Sequence, residues 1–129
     1  MLDHVTLTAL DIRSALAFYD TALGALGYAR VAELVDEEED DAAVEAVGFG
    51  LPGGAAQLWV VAGTAPTTGV HVRFRAAERT AVAAFHERAL AAGGQEHSAP
   101  RRWPISRRGE FNAIVRDPAG NLIEVVAPE

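Results

Sequence analysis

The sequence predicts an α+β fold: two tandem βαβββ modules whose strands form a curved mixed sheet in the shape of a cup, with the helices on its outer face. The main observation is an internal repeat, in which residues 4–27 and residues 71–94 match at a constant offset of 67 positions. A repeat fixes the architecture before any single element is assigned. The second observation is that each copy shows a strand pattern, then a helix pattern, then three further strands.

Length and composition limit the classes of function. At 129 residues the chain is long enough for one domain with a sizeable core, and no cysteine is present for disulfide or thiolate chemistry. The net charge of −7 argues against nucleic acid, since Lys and Arg must neutralise phosphates. We expect a soluble, cytoplasmic protein without a membrane partner, because there is no secretory signal and no run of roughly 20 apolar residues.

Module one is predicted at about residues 1–62. Apolar and polar residues alternate over residues 2–9, as in a half-buried strand. Asp11 is a suitable N-cap for the helix that follows, and Gly27 a suitable end. The three further strands are predicted at residues 28–35, 43–51 and 55–62.

Module two, at about residues 68–129, repeats this order. Its elements are predicted as a strand at 69–75, a helix that ends at Gly93 and Gly94, a short strand after Gly94, and strands at 110–117 and 121–127. Between the last two strands, Asp-Pro-Ala-Gly at residues 117–120 predicts a type I turn, with Asp first, Pro second and Gly fourth.

The repeat also superimposes four polar side chains. His4 matches His71, and Gln57 matches Glu124, both at the offset of 67. Strand alternation places both histidines on the sheet face opposite to the helices. If the modules pack about a pseudo-two-fold axis, all four side chains converge in the cup.

Two imidazoles and one carboxylate form a facial ligand set for Fe(II), Mn(II), Co(II), Ni(II) or Zn(II), with open positions for substrate or water. We expect His4, His71 and Glu124 as metal ligands, with the Gln57 amide oxygen as a weak fourth. Glu124 could instead leave the metal and act as a catalytic base. Alternatively, each histidine is an ordinary polar strand residue and no metal site exists. The apolar neighbours of Glu124 argue against this alternative, because a buried carboxylate costs several kcal/mol unless it is paired or binds a metal.

Three segments resemble the vicinal oxygen chelate superfamily: Asp-His-Val-Thr-Leu at residues 3–7, Gly-Val-His-Val-Arg-Phe at 69–74, and Asp-Pro-Ala-Gly-Asn-Leu-Ile-Glu at 117–124. That superfamily includes glyoxalase I, extradiol dioxygenases, fosfomycin-resistance enzymes and bleomycin-binding proteins. The resemblance covers essentially the whole chain. It implies one glyoxalase/bleomycin-resistance/dioxygenase-like domain over residues 1–129 and the same three metal ligands on the first, fifth and eighth strands. It also implies a homodimer, and His4 and His71 could meet either within one chain or across the dimer.

Departures from the family patterns leave the reaction open. Gln57 stands where glyoxalase I often has a glutamate, and a set of two His and one Glu is typical of dioxygenases and fosfomycin enzymes. The additional His and Tyr of dioxygenases cannot be placed. We therefore expect a metal-dependent lyase, isomerase or ring-cleaving dioxygenase acting on a small oxygen-chelating substrate. The alternatives are a non-catalytic small-molecule binding or resistance protein, and a catalytically inactive relative whose cup is only part of the core.

Substrate-binding candidates are side chains near the predicted ligands and aromatic residues near the cup. They are Thr6, Trp59, Arg73, Trp103 and Phe111. A core position is an equally good interpretation for Trp59.

Residues 101–108 hold four arginines, which could clamp an anionic substrate group through bidentate hydrogen bonds. A solvated hairpin is the favoured interpretation. The acidic run from Asp36 to Asp41 stands at the equivalent turn of module one, and the opposite charges could pair across the pseudo-dyad or a dimer.

Overall fold

Both halves of the chain fold in the same order of elements. The computed structural model describes residues 1–36, 43–102 and 109–128. Module one consists of β1 (Val5–Ala9), α1 (Ile12–Gly24), β2 (Ala29–Asp36), β3 (Ala43–Gly50) and β4 (Leu58–Ala62). Module two consists of β5 (His71–Arg75), α2 (Arg79–Ala91), β6 (Gln95–Arg102), β7 (Phe111–Arg116) and β8 (Leu122–Ala127). The predicted fold class of two βαβββ modules is confirmed.

Each module has its own open four-stranded sheet. The strand orders are β1-β4-β3-β2 and β5-β8-β7-β6. The first and last strands of each module pair in parallel and the other pairs are antiparallel, so both sheets are mixed. The strand that begins at His71 therefore lies directly beside the strand that carries Glu124.

The two helices cover the sheet face predicted from strand alternation. Asp11 caps α1 as expected: its carboxylate accepts hydrogen bonds from the Ser14 amide at 3.2 Å and the Ser14 hydroxyl at 2.7 Å. On β1 and β5 the buried side chains, among them Leu7 and Phe74, point to the helices. We call the opposite face of each sheet its cup face. Within the described residues, neither helix is long and apolar enough to cross a membrane.

The modules share one hydrophobic core, because α1 contacts α2 as well as its own sheet. At Gly94 a Cβ atom would lie 2.7 Å from both Phe18 of α1 and Val115 of β7, closer than real Cβ atoms approach their neighbours. Gly27, its repeat equivalent, meets no such neighbour and instead has a φ of +80°. Glycine is therefore needed for lack of space at position 94 and for its backbone conformation at position 27.

Polar contacts also join the modules. The Tyr19 hydroxyl, buried on α1, donates to Asp117 Oδ2 at 2.5 Å in the predicted turn of module two. In that turn Gly120 N donates to Asp117 O at 3.0 Å, the bond that closes a β-turn. Asn121 donates to the backbone oxygen of Thr67 at 2.8 Å, and Thr67 in turn bonds Thr8 of β1. The segment between β4 and β5, residues 63–70, is thereby hydrogen-bonded to both modules.

Candidate functional site

The cup face of module two gathers polar side chains from three neighbouring strands. His71 and Arg73 project from β5 on the side away from the helix, and both are exposed. Arg73 stands in register with Glu124 on β8. Asn112 on β7 also reaches Glu124.

Glu124 is the centre of this cluster. Only 6% of its surface is exposed, yet both carboxylate oxygens have partners. Oε1 lies 2.8 Å from His71 Nε2, while Oε2 accepts from Asn112 Nδ2 at 2.8 Å and from Arg73 Nε at 3.1 Å. Arg73 also donates to Glu110 at 3.3 Å. The partners supply the compensation that a buried carboxylate requires.

These contacts determine the protonation of the carboxylate. Burial alone would raise the pKa of Glu124, but hydrogen bonds from Asn112, Arg73 and His71 outweigh it and hold the pKa below its ordinary value. Glu124 is therefore ionised at neutral pH. An ionised carboxylate only accepts hydrogen bonds, so His71 donates from Nε2.

His71 and Glu124 fit two positions of a metal site. Metal–ligand bonds of about 2.0–2.2 Å place neighbouring donor atoms about 3 Å apart, close to the observed 2.8 Å. The residues that the structure describes contain no group of three or more His, Asp or Glu able to hold a metal. One chain thus brings together two of the three predicted ligands.

The two predicted ligands of module one make other contacts. His4 is exposed, and its Nδ1 is 3.6 Å from Asp3. Gln57 accepts a short hydrogen bond from the Tyr28 hydroxyl, and the Tyr28 ring packs edge-on against Phe74 at 5.6 Å. Within the described parts of one chain, His4 forms no metal-binding group with His71 and Glu124.

The substrate-binding candidates are distributed over both sheets. Thr6 and Trp59 are register partners on the cup face of module one, where the indole lies over Gly48. Phe111 packs against the core from the helix side, with the Arg79 guanidinium 4.9 Å from its ring centre. Trp103 lies outside the described residues, as does most of the arginine segment 101–108 and of the acidic run 36–41.

Asn112 is the residue of this cluster that sequence reasoning did not identify. A signal in the sequence exists, since Asn112 is a polar residue in the mainly apolar strand Phe111–Arg116. In the sheet its partner on β8 is Val126, two residues beyond Glu124. The importance of Asn112 depends on the register of β7 against β8, which alternation alone does not determine.

A cleft of about 320 Å³ lies elsewhere, on the helix side where the modules meet. Its lining is mostly apolar and includes Leu7 and Val60. Asp117 and Tyr19 also line it, but these two are bonded to each other. The hydrogen-bonded cluster around Glu124 lies on the cup face instead.

Two modules that each hold a helix against one sheet face, with a histidine–carboxylate pair on the open face, define a protein of the paired βαβββ class. A family model matches residues 1–125 with the description Glyoxalase/Bleomycin resistance protein/Dioxygenase superfamily. The chain belongs to this superfamily, as the sequence motifs predicted.

Solved structures of similar fold agree with this membership. A glyoxalase/bleomycin resistance protein from Albidiferax ferrireducens T118 matches with a TM-score of 0.76 and 25% identity, over 98% of both chains. A glyoxalase-related enzyme from Fulvimarina pelagi matches with a TM-score of 0.68 and 23% identity, over 97% of this chain and 86% of the other. A lactoylglutathione lyase from Agrobacterium tumefaciens gives 0.60 and 22%, over 97% and 92%. The comparison with curated proteins gave no match.

Proposed function

We propose that this chain is the subunit of a divalent-metal-dependent enzyme that acts on a small oxygen-chelating substrate, by isomerase, lyase or ring-cleaving dioxygenase chemistry. The observation that carries the proposal is the pair of His71 Nε2 and Glu124 Oε1, 2.8 Å apart on the open face of module two. Glu124 is buried and ionised, so it offers a full negative charge to a cation. Fe, Mn, Ni, Co and Zn all suit imidazole and carboxylate ligands.

We place the third ligand, His4, in a second copy of the chain. The sheet faces that carry the helices are buried in one shared core. The cup faces carry exposed residues such as Thr6 and Arg73 and remain accessible to a second chain. A homodimer in which the cup face of module one lies over that of module two in the partner closes two equivalent sites. Each site then combines His4 and the weak ligand Gln57 from one subunit with His71 and Glu124 from the other.

In this arrangement the chain's own residues hold and orient the substrate. A bound divalent metal would act as a Lewis acid on a substrate oxygen. Arg73 is half-exposed and can turn its guanidinium to an anionic group of the substrate. Thr6 and Trp59 line the opposite wall, and we keep Trp103 and Phe111 as weaker candidates. Glu124 either stays a ligand or accepts a substrate proton through Oε1.

The direct test measures metal binding by the purified protein. Wild type should take up a divalent metal and gain thermal stability from it, since a ligand that binds only the folded state stabilises that state. His71→Ala and Glu124→Ala should abolish the gain, and His4→Ala should weaken it strongly. Wild-type protein that neither binds nor responds to any of the five metals would contradict the proposal. Oxygen uptake with catechols, against isomerisation of the methylglyoxal–thiol hemithioacetal, then separates the two chemistries.

A metal-free binding protein is the second candidate function. The observation in its favour is that Arg73 already compensates the charge of Glu124 without a cation. Such a protein would bind small molecules equally well after treatment with a chelator. The enzyme we propose would lose its ligand with the metal.

A further inference from the structure

We propose that Asn112 is a positioning residue that holds Glu124 Oε2, so that Oε1 is the oxygen presented beside His71 to a divalent metal. This inference rests on the proposed metal-dependent function. It concerns one residue that does not itself contact the metal.

The two oxygens of Glu124 have different partners. Oε2 accepts from Asn112 at 2.8 Å and from Arg73 at 3.1 Å, whereas His71 is the partner of Oε1 at 2.8 Å. Oε2 is thereby occupied from the protein side. Oε1 and the imidazole nitrogen are left as the two neighbouring donors that a cation can bridge.

Asn112 is better suited to this role than Arg73. Its surface is only 3% exposed, so its amide is fixed within the sheet. The Arg73 side chain is 46% exposed and also bonds Glu110 at 3.3 Å. The contact from Asn112 is therefore the shorter and the less screened of the two.

The orientation of the Asn112 amide lowers the stability of the fold. An ionised carboxylate needs a donor, so Nδ2 must face Glu124. Oδ1 is then buried without a partner among the residues that the structure describes. Buried acceptors without partners are rare and unfavourable. The amide therefore serves its bond to Glu124 rather than the packing of this strand.

The experiment compares Asn112→Leu with wild type, using Co(II) alone as the probe on the full-length protein. We expect Asn112→Leu to bind Co(II) at least about ten-fold more weakly, as changes at residues behind metal ligands do. We also expect its visible Co(II) absorption spectrum to change, because Glu124 becomes free to turn both oxygens to the metal. The Tm without metal should fall moderately, because the buried Glu124 loses a hydrogen bond worth about 1–3 kcal/mol, so the Co(II) affinity has to be compared with that of a control with a similar loss of Tm.

Val115→Ala is the matched control on the same strand. Val115 is fully buried on the helix side, so its truncation should lower the Tm but leave the Co(II) affinity and spectrum unchanged. Asn112→Ala, which requires no added space, gives the same reading if Asn112→Leu does not fold.

An unchanged affinity and spectrum in the Asn112 variants would overturn the inference while leaving the metal site intact. So would a loss of affinity matched by Val115→Ala at equal loss of Tm. A wild-type protein that binds no Co(II) or other divalent metal would overturn the proposed function and this inference together.

Discussion

Nε2 of His71 lies 2.8 Å from Oε1 of Glu124, although the two residues are 53 positions apart in the chain. The parallel pairing of β5 with β8 brings them together near the N-terminal ends of these two strands. In module one the pairing of β1 with β4 differs by two positions, so that Thr6 stands beside Trp59 where the repeat would place Gln57. There the glutamine bonds Tyr28, and His4 remains exposed.

If each site combines two subunits, defective chains should complement one another. We expect His4→Ala and His71→Ala homodimers each to bind metal poorly. After subunit exchange, every mixed dimer should hold one site with all its ligands and one site lacking both histidines. Metal analysis of the purified mixed dimer should therefore find about one ion, in keeping with two equivalent sites per dimer.

The control for this experiment mixes His71→Ala with Glu124→Ala. Both changes lie in module two, so each site of the mixed dimer keeps one defect and no binding returns. Recovery in this control, or none in the first mixture although mixed dimers form, would contradict a site shared between subunits.

The lowered pKa of Glu124 predicts how stability depends on pH. A carboxyl group whose folded pKa lies below the ordinary 4.5 stabilises the fold above pH 4.5, and this contribution is lost as the pH falls through the folded pKa. Glu124→Gln should cost about 1–3 kcal/mol at pH 7, since it weakens hydrogen bonds to a charged group. The difference from wild type should shrink as the pH approaches 3.

Urea denaturation at several pH values measures this effect. Glu96→Gln is the surface control: Glu96 is half-exposed and bonds His86 at 2.7 Å, and its loss should change the free energy of unfolding by less than about 1 kcal/mol. A Glu124→Gln deficit as large at pH 3 as at pH 7 would show that the carboxylate charge is not what stabilises the fold.

The hydroxyl of Tyr19 should contribute measurably to stability. It is buried and donates to Asp117 across the two modules at 2.5 Å. Tyr19→Phe should lower the free energy of unfolding by about 1–3 kcal/mol, as for a buried hydrogen bond to a charged group. Tyr28→Phe is the matched control, because its hydroxyl bonds the exposed Gln57. Equal losses in the two variants would contradict a special role for the bond between modules.

Two glycine variants should change stability in opposite directions. Gly94→Ala places a Cβ atom 2.7 Å from Phe18 and Val115, which should cost about 1–3 kcal/mol. Gly24→Ala lies at the end of α1 and has space for a methyl group, since an added Cβ would meet Arg88 Nη1 at an ordinary contact distance of 3.7 Å. It should be neutral or stabilise by up to about 1 kcal/mol, because alanine favours helix. Thermal unfolding of both variants checks the prediction. A Gly94→Ala variant as stable as wild type would contradict it.

The sequence predicted the elements well because alternation and the repeat are local patterns. Strand alternation placed His71 on the face away from the helix, and the repeat set Glu124 among the four side chains expected to converge. Alternation does not determine how one module's face is directed relative to the other module. Whether His4 meets His71 in one chain depends on helix-to-helix packing and therefore could not be predicted. Asn112 and Phe111 show the same limit, since adjacent strand positions point to opposite faces and only the register assigns them.

The contact between Phe18 and Gly94 has a consequence for the ancestry of the two halves. The helix of module one presses on the space left by a missing side chain in module two, while at Gly27 no described atom lies near enough to do the same in return. Phe85 and Gly27 are the repeat equivalents of Phe18 and Gly94, so both halves carry the same two residue types at these positions. The two halves have therefore diverged in how they pack on each other, and not in the residues that this contact uses.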